Sequence, residues 1–413
     1  MRCGPASLWP AVCLPGPFRS LASRSFGGTG LLCRGRSLVP TLLQQTAKKV
    51  TYSICLSYRR HVQIIKNTFN IYIKSIIIGK IIFLLRLVIN FFMMLDNIFF
   101  PSINKISIKK PIIIVGNPRS GTTFLQRFLV KNKFGQGSEL WQMIYSSIIL
   151  QKIIRPFLPL LEYISPAKHH STDAHKTSLS SVETDDVGIF FRYYDGFFLY
   201  GFILCFSNKN YFDWVDPKKR NNLNRDMKWL NKVWKRILIS SNGDRIVAKL
   251  FSLSSNTPDY LKKQNDAKIL YMIRNPLDVI PSGLSLVTGV LDKMFGFWSL
   301  PKHKRELFVK RLYKGLVELL NRFADDWDSN KIDKTKVLLI KYDEMMNDFD
   351  GLMDKIITFT DHKSNKNLIE NIKRTAIKQK KYKSNHKYNL EKFGLSESII
   401  KKDCMKYYEI FIN

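Results

Sequence analysis

The run Pro111-Ile112-Ile113-Ile114-Val115 passes without a spacer into Gly116-Asn117-Pro118-Arg119-Ser120-Gly121-Thr122-Thr123, and a helical pattern follows with Phe124, Leu125, Phe128 and Leu129 on one face. A short, continuous apolar run bounded by turn residues reads as a strand buried on both faces, the kind found in parallel sheets covered by helices. Strand, glycine-bounded loop and helix in that order aim backbone N–H groups at an anion beyond the strand's end. This junction therefore predicts both an architecture and a site for a phosphate-like group. Gly116 and Gly121 have the spacing of the nucleotide-triphosphate loop G-x-x-x-x-G-K-[ST], but Thr122 stands where that loop has its Lys, and the cation has moved to Arg119. A Lys on the terminal phosphates and a hydroxyl on Mg²⁺ are what a triphosphate needs, so a hydroxyl pair with an Arg suits an anion that needs no metal.

Further strand patterns lie at Arg245–Lys249, Ile269–Ile273 and Lys336–Lys341. Between the last two, Arg305–Trp327 repeats Leu307, Leu312, Leu316, Leu319, Leu320 and Phe323 at helical spacing. Buried strands alternating with helices predict an α/β fold, a P-loop-like three-layer arrangement with a central parallel sheet flanked by helices and an apolar helix in front. The expected organisation is an atypical segment over 1–50, a basic, apolar helical region over 51–104 and one domain over 105–413.

Residues 1–50 contain no Asp, Glu, Asn, Ile or Tyr, whereas Ile, Lys, Asn, Phe and Tyr dominate from Thr51 onward. An acid-free, Arg/Ser/Leu-bearing N-terminus has the composition of an organellar transit peptide, and equally that of a fusion scar, and neither belongs to the fold. Ile76–Phe100 is apolar enough for a membrane, yet Lys80, Arg86 and Asp96 interrupt it and the longest uncharged run, Leu87–Leu95, is too short to cross. A helix lying on a membrane, or packed on the protein, is the expectation. Lys+Arg 66 against Asp+Glu 33 leave a net charge of +33, which asks for an anionic partner. Six cysteines without a C-x-x-C pair argue against a zinc or disulfide framework and suit a reducing compartment. The expected location is cytoplasmic with membrane association, or mitochondrial if 1–50 is a genuine transit peptide.

A second motif, Arg274-Asn275-Pro276-Leu277-Asp278 followed by Ser282, comes directly after the 269–273 strand. Together, Pro118-Arg119-Ser120-Gly121-Thr122-Thr123 and Arg274…Ser282 resemble the sulfotransferases that use 3′-phosphoadenylyl sulfate. The Arg form of the loop is similar to their bacterial and tyrosylprotein-type branch. The resemblance covers roughly 105–413, with a late strand and helix at 336–359 and a weaker C-terminal match over His386–Gly394. It implies transfer of a sulfuryl group to a hydroxyl or amine. In that reading Gly116, Asn117, Pro118, Arg119, Ser120, Gly121, Thr122 and Thr123 hold the 5′-phosphosulfate. Arg274 and Ser282 hold the 3′-phosphate. No metal and no nucleic acid are expected.

For catalysis the resemblance implies Arg119 as a fixed electrostatic clamp, since a guanidinium stays charged and cannot donate a proton. Glu139, 20 residues further on, takes the place of the base that the tyrosylprotein branch carries. Its other reading is an acid at a helix start. Glu183, Asp185 and Asp186 form a competing acidic site, with His169, His170 and His175 as further bases. Phe190–Phe202 (FFRYYDGFFLYGF) either packs in the core or lines an apolar acceptor pocket. The basic run Lys378–Lys387 is a lid or a solvated charge run. The acceptor is a small molecule, lipid or glycan. Two rivals remain at this point, a P-loop NTP-dependent kinase and an inactive, membrane-associated nucleotide-binding protein.

Overall fold

Strand β1 (Ile112–Val115) is buried at every residue, as its unbroken apolar run requires. It sits inside a four-stranded parallel sheet with β2 (Val247–Lys249), β3 (Lys268–Ile273) and β4 (Val337–Lys341), in the order β2-β1-β3-β4. Ile113 is level with Ala248 on one side and Ile269 on the other, and Leu270 is level with Leu338. The computed structural model describes residues 55–165, 177–381 and 389–413. The 1–50 segment, His169, His170, His175 and residues 382–387 of the basic run lie outside them.

Helices α1 (55–69) and α2 (Ile73–Phe99) precede the sheet. Between β1 and β2 come α3 (Thr122–Lys131), α4 (Leu140–Ile144), α5 (Ile148–Ile154), α6 (Leu158–Ile164), α7 (Asp186–Tyr193), α8 (Phe197–Phe202) and α9 (Leu223–Ser241). Helix α10 (Thr257–Lys263) joins β2 to β3, and α11 (Pro276–Phe295) with α12 (Lys302–Asp328) joins β3 to β4. After β4 come α13 (Tyr342–Asn347), α14 (Phe349–Phe359), α15 (Lys366–Lys381), α16 (Glu397–Asp403) and α17 (Met405–Phe411).

The pleat sends alternate strand residues to opposite faces. Ile113, Val115, Ile269 and Tyr271 join one core with α9, α11 and α12, while Ile112, Ile114, Leu270 and Met272 join another with α3, α14 and α15. Each face is thus covered by helices, and the expected three layers are present. Crossovers on both faces leave the carboxyl ends of the strands open, which is where open α/β sheets take ligands.

Helices α1 and α2 pack on the first core through Ile64, Ile65, Ile89 and Met93. Two of the three charges that interrupt the apolar run of α2, Arg86 and Asp96, are its attachments, while Lys80 is exposed. Asp96, fully buried, accepts from Arg236 Nε at 2.7 Å, from Ser147 Oγ, and from the N–H groups of Ile148 and Ile149 at the start of α5. Arg86 Nε donates to the carbonyl of Phe191 at 3.0 Å, and Arg192 donates to Asn90 Oδ1.

Candidate active site

All four strand ends contribute to one cavity of about 1020 Å³. The loop after β1 brings Pro118, Arg119, Gly121, Thr122 and Thr123, and β2 ends in Lys249. Arg274 follows β3 and Tyr342 follows β4. The loop needs unusual backbone to do this. Gly116 has φ +144°, and a Cβ there would lie 3.0 Å from Met272; Gly121 has φ +92°, with Met345 and Tyr342 against it. Arg119 adopts φ +78°, a left-handed conformation uncommon outside glycine and held only when neighbours over-determine it. Those neighbours belong to the second motif: Arg274 Nη1 donates to the Arg119 carbonyl at 2.8 Å, and Arg119 Nε donates to Ser282 Oγ at 3.0 Å. Arg119 and Ser282, 163 residues apart in sequence, are therefore one hydrogen bond apart in space.

The loop residues divide by what they touch. Thr122 opens α3, whose first N–H groups have no partner within the helix. Asn117 and Ser120 are buried, and neither they nor Gly116 line the cavity. Asn117 Nδ2 donates to the carbonyl of Leu316 on α12 at 2.9 Å, and Ser120 Oγ donates to the Asn117 carbonyl. These side chains hold the loop's shape rather than face a ligand. The Arg274 guanidinium lies 3.9 Å from the centre of the Tyr342 ring, a stacking that fixes its plane.

Lys249, which the motifs did not single out, is the strongest addition. Its ammonium is buried and donates to Thr123 Oγ1 at 2.7 Å. Burial holds its pKa below the ordinary lysine value, and the Glu183 carboxylate works in the opposite direction. The sequence signal was there: a lysine closing an otherwise apolar strand is too expensive to bury without a partner or a task.

The two acidic candidates separate cleanly. Glu139 lies outside the cavity lining. It caps α4 in a capping box with Gln142, and its Oε2 accepts from Trp141 Nε1 at 2.5 Å. Glu183 lines the cavity, is buried, and accepts from Arg127 Nη2 at 2.7 Å and Ser181 Oγ at 3.0 Å. Asp185 and Asp186 are spent on structure. Asp185 accepts from Ser138, Trp234 and the Lys249 N–H, and burial raises its pKa. Asp186 accepts from Thr184 and the Phe251 N–H, and burial pushes its pKa up to about 6. Both pin the end of β2.

Away from the loop the cavity wall is aromatic. Phe190, Phe191, Phe197, Phe198 and Phe202 face it, so the FFRYYDGFFLYGF segment supplies lining as well as core, where Tyr194 and Tyr200 go. Leu286, Val287, Leu312 and Leu316 complete that end from α11 and α12. Thr375, Lys378 and Gln379 on α15 close the opposite rim.

The sequence profile of the sulfotransferase domain matches residues 109–404. This chain belongs to the sulfotransferase domain family. Among solved structures, a sulfotransferase STF1 from Mycobacterium tuberculosis H37Rv superposes with a TM-score of 0.65 at 15% identity, covering 86% of this chain and 91% of that one. A sulfotransferase STF9 from Mycobacterium avium gives 0.59 at 15% identity, covering 78% and 81%. No curated protein sequence matches the chain significantly. At those identities the structures speak for the fold, and the profile carries the family. Membership identifies the enzyme as one that transfers sulfuryl groups, for which 3′-phosphoadenylyl sulfate is the family's general donor. It decides against the NTP-dependent kinase. Among the described residues of this sulfotransferase, no cluster of three His, Cys, Asp or Glu side chains has the arrangement to hold a metal.

Proposed function

We propose that this sulfotransferase binds 3′-phosphoadenylyl sulfate with its phosphosulfate against Arg119, Thr122, Thr123 and the first N–H groups of α3. Arg274 and Ser282 take the 3′-phosphate, and the acceptor occupies the phenylalanine-walled end. One observation carries the reading: Arg119 and Arg274 line the head of one cavity, joined at 2.8 Å, and Ser282, buried behind that lining, accepts from Arg119 at 3.0 Å. A volume of about 1020 Å³ stands at the top of the usual range for ligand pockets, roughly 300–1,000 Å³, enough for a nucleotide and an acceptor together.

The acceptor oxygen attacks sulfur as the bond from sulfur to the bridging oxygen breaks, and the electron pair departs onto the 5′-phosphate. Arg119, Lys249 and the two threonines meet that charge, the term expected to contribute most. Glu183 accepts the acceptor's proton, with Arg127 holding its carboxylate in place. Glu139, the base implied by resemblance, is given no part in this scheme because it lies outside the cavity lining, whereas Glu183 lies within it. The acceptor we favour is an amphiphile bearing a hydroxyl, its apolar body against Phe190, Phe197 and Phe198.

Thermal shift supplies the first test. Adenosine 3′,5′-bisphosphate should stabilise the enzyme and ATP·Mg²⁺ should not; the reverse result refutes the donor assignment. Transfer of radiolabelled sulfate to hydroxyl-bearing lipids is the second. Bisphosphate binding without turnover on any acceptor would leave an inactive nucleotide-binding protein.

A further inference from the structure

Helix α2 has two faces that differ in every respect. Ile89, Met93 and Asp96 face the domain and are buried. On the opposite side Ile73, Ile77, Ile81, Leu84, Phe91 and Ile98 recur at helical spacing and stand open, with Ile73 72%, Leu84 61% and Ile98 64% exposed. Where α2 packs on α5 the apolar surface continues, through Ile153, Phe157, Leu160 and Ile164, each at least half exposed. Isolated exposed leucines need no explanation, but a stripe along a 27-residue helix marks an interaction surface.

Charge narrows the partner. From Ile73 to Lys110 the only acid is Asp96, which is buried. On α5 and α6 the only acid is Glu162, whose carboxylate accepts from the Leu179 N–H. Cations border the stripe instead. Lys105, Lys152 and Arg155 are exposed at its C-terminal end, with Lys152 Nζ 5.2 Å from the Phe100 ring. Along its middle, Arg192 bonds Asn90 of α2, and the exposed Lys232 of α9 lies close enough to Arg192, Arg236 and the equally exposed Lys228 to be repelled by them. An aliphatic and phenylalanine face without acids, edged by lysine and arginine, complements an anionic lipid surface.

Length and composition alone would let Ser75–Phe99 cross a bilayer. The attachments forbid it, because Arg86 holds Phe191 at mid-helix while Asp96 is locked to Arg236 near the end. A helix fastened at both points along its inner face to a water-soluble fold cannot also be surrounded by lipid. We propose that this sulfotransferase docks on an anionic membrane surface with α2 lying in the interfacial plane, its outer stripe in the acyl boundary and the lysines of α9 at the headgroups. Lys80, within the stripe, reaches the headgroups by its long stem. Phe191, whose carbonyl Arg86 holds, lines the aromatic end of the cavity, so docking brings membrane-borne hydroxyls to the site. The docking itself does not rest on the donor assignment.

The test is cosedimentation of the full chain with phosphatidylcholine vesicles, with and without phosphatidylserine. Binding should require phosphatidylserine, and Ile77→Glu/Leu84→Glu/Phe91→Glu should lower the bound fraction about tenfold or more. Lys228→Glu/Lys232→Glu should weaken binding to the anionic vesicles about fivefold per residue. The bisphosphate thermal shift should be unchanged in both variants, which separates a docking defect from misfolding and from failure of the donor assignment. A wild-type chain that stays in the supernatant overturns the proposal. So does a dimer, seen by light scattering, that the triple substitution splits, because the stripe is then covered by a second copy. Resistance to alkaline carbonate extraction overturns it too, by showing a span.

Discussion

The polar head of the cavity and its aromatic end are built on different principles. The head collects side chains from the ends of four adjacent strands, so neighbouring backbone fixes where Arg119, Lys249, Arg274 and Tyr342 sit. The aromatic end is assembled from α7, α8, α11 and α12, and its positions follow from helix packing. A site made from strand ends and hydrogen bonds tolerates little change, whereas a wall of phenylalanines can be reshaped one side chain at a time. Recognition of a constant donor and of a variable acceptor fits that division.

The sharpest way to break the comparison is at the carboxylates. Glu183→Gln should lower kcat by about 10²–10⁴-fold with donor affinity unchanged, while Glu139→Gln should leave kcat at the wild-type level and lower stability by about 1 kcal/mol, the cost of a lost cap. Steady-state kinetics beside thermal melts read both, and the opposite pattern would restore Glu139 as base. At the head, Arg274→Ala should weaken adenosine 3′,5′-bisphosphate by about 1.5–3 kcal/mol in calorimetry, the scale of a charge-assisted hydrogen bond. An unaltered dissociation constant removes Arg274 from the donor site. At the aromatic end, Phe198→Ala should raise the acceptor KM about tenfold without touching the bisphosphate. Equal effects on both ligands would mean the two ends are not separate.

The smallest effect concerns the carboxylate that pins the end of β2. Burial raises Asp186 from its ordinary 3.8 to about 6, so the folded state prefers the protonated form. The contribution is fully present below pH 3.8 and is lost as the pH rises through about 6. Melting temperatures of Asp186→Asn and wild type should therefore diverge in favour of the variant as the pH rises from 3.8 to about 6, and a constant difference across that range excludes the shift.

The strand-loop-helix junction and the Arg274…Ser282 motif were legible because each is local: a few consecutive residues specify strand, turn and helix start. The same held for the strands at 269–273 and 336–341 and for the long helix that spans 305–327. Glu139 falls outside the cavity lining, because distance along the chain says nothing of where a side chain ends up. The pair Glu139 and Gln142, three residues apart ahead of an apolar run, carried the signature of a cap. Glu183 was legible only as one of three acids and Lys249 not at all, because the 65 intervening residues must fold back before both lie beside the loop. The interruptions of the apolar helix were ambiguous for a like reason, since nothing local shows that Asp96 meets Arg236.

Asn117 leads somewhere less obvious. Its amide grips the Leu316 carbonyl, and the same helix α12 carries Leu312 and Leu316 in the wall of the cavity's aromatic end and Gly315 under Phe197 and Tyr200. One rod thus serves as shelf for the 116–123 loop and as partition for the aromatic end of the cavity. Variants that enlarge the partition by tilting α12 would drag the loop out of register, so diversification of substrate range in this scaffold should proceed through α7 and α8, leaving α12 in place.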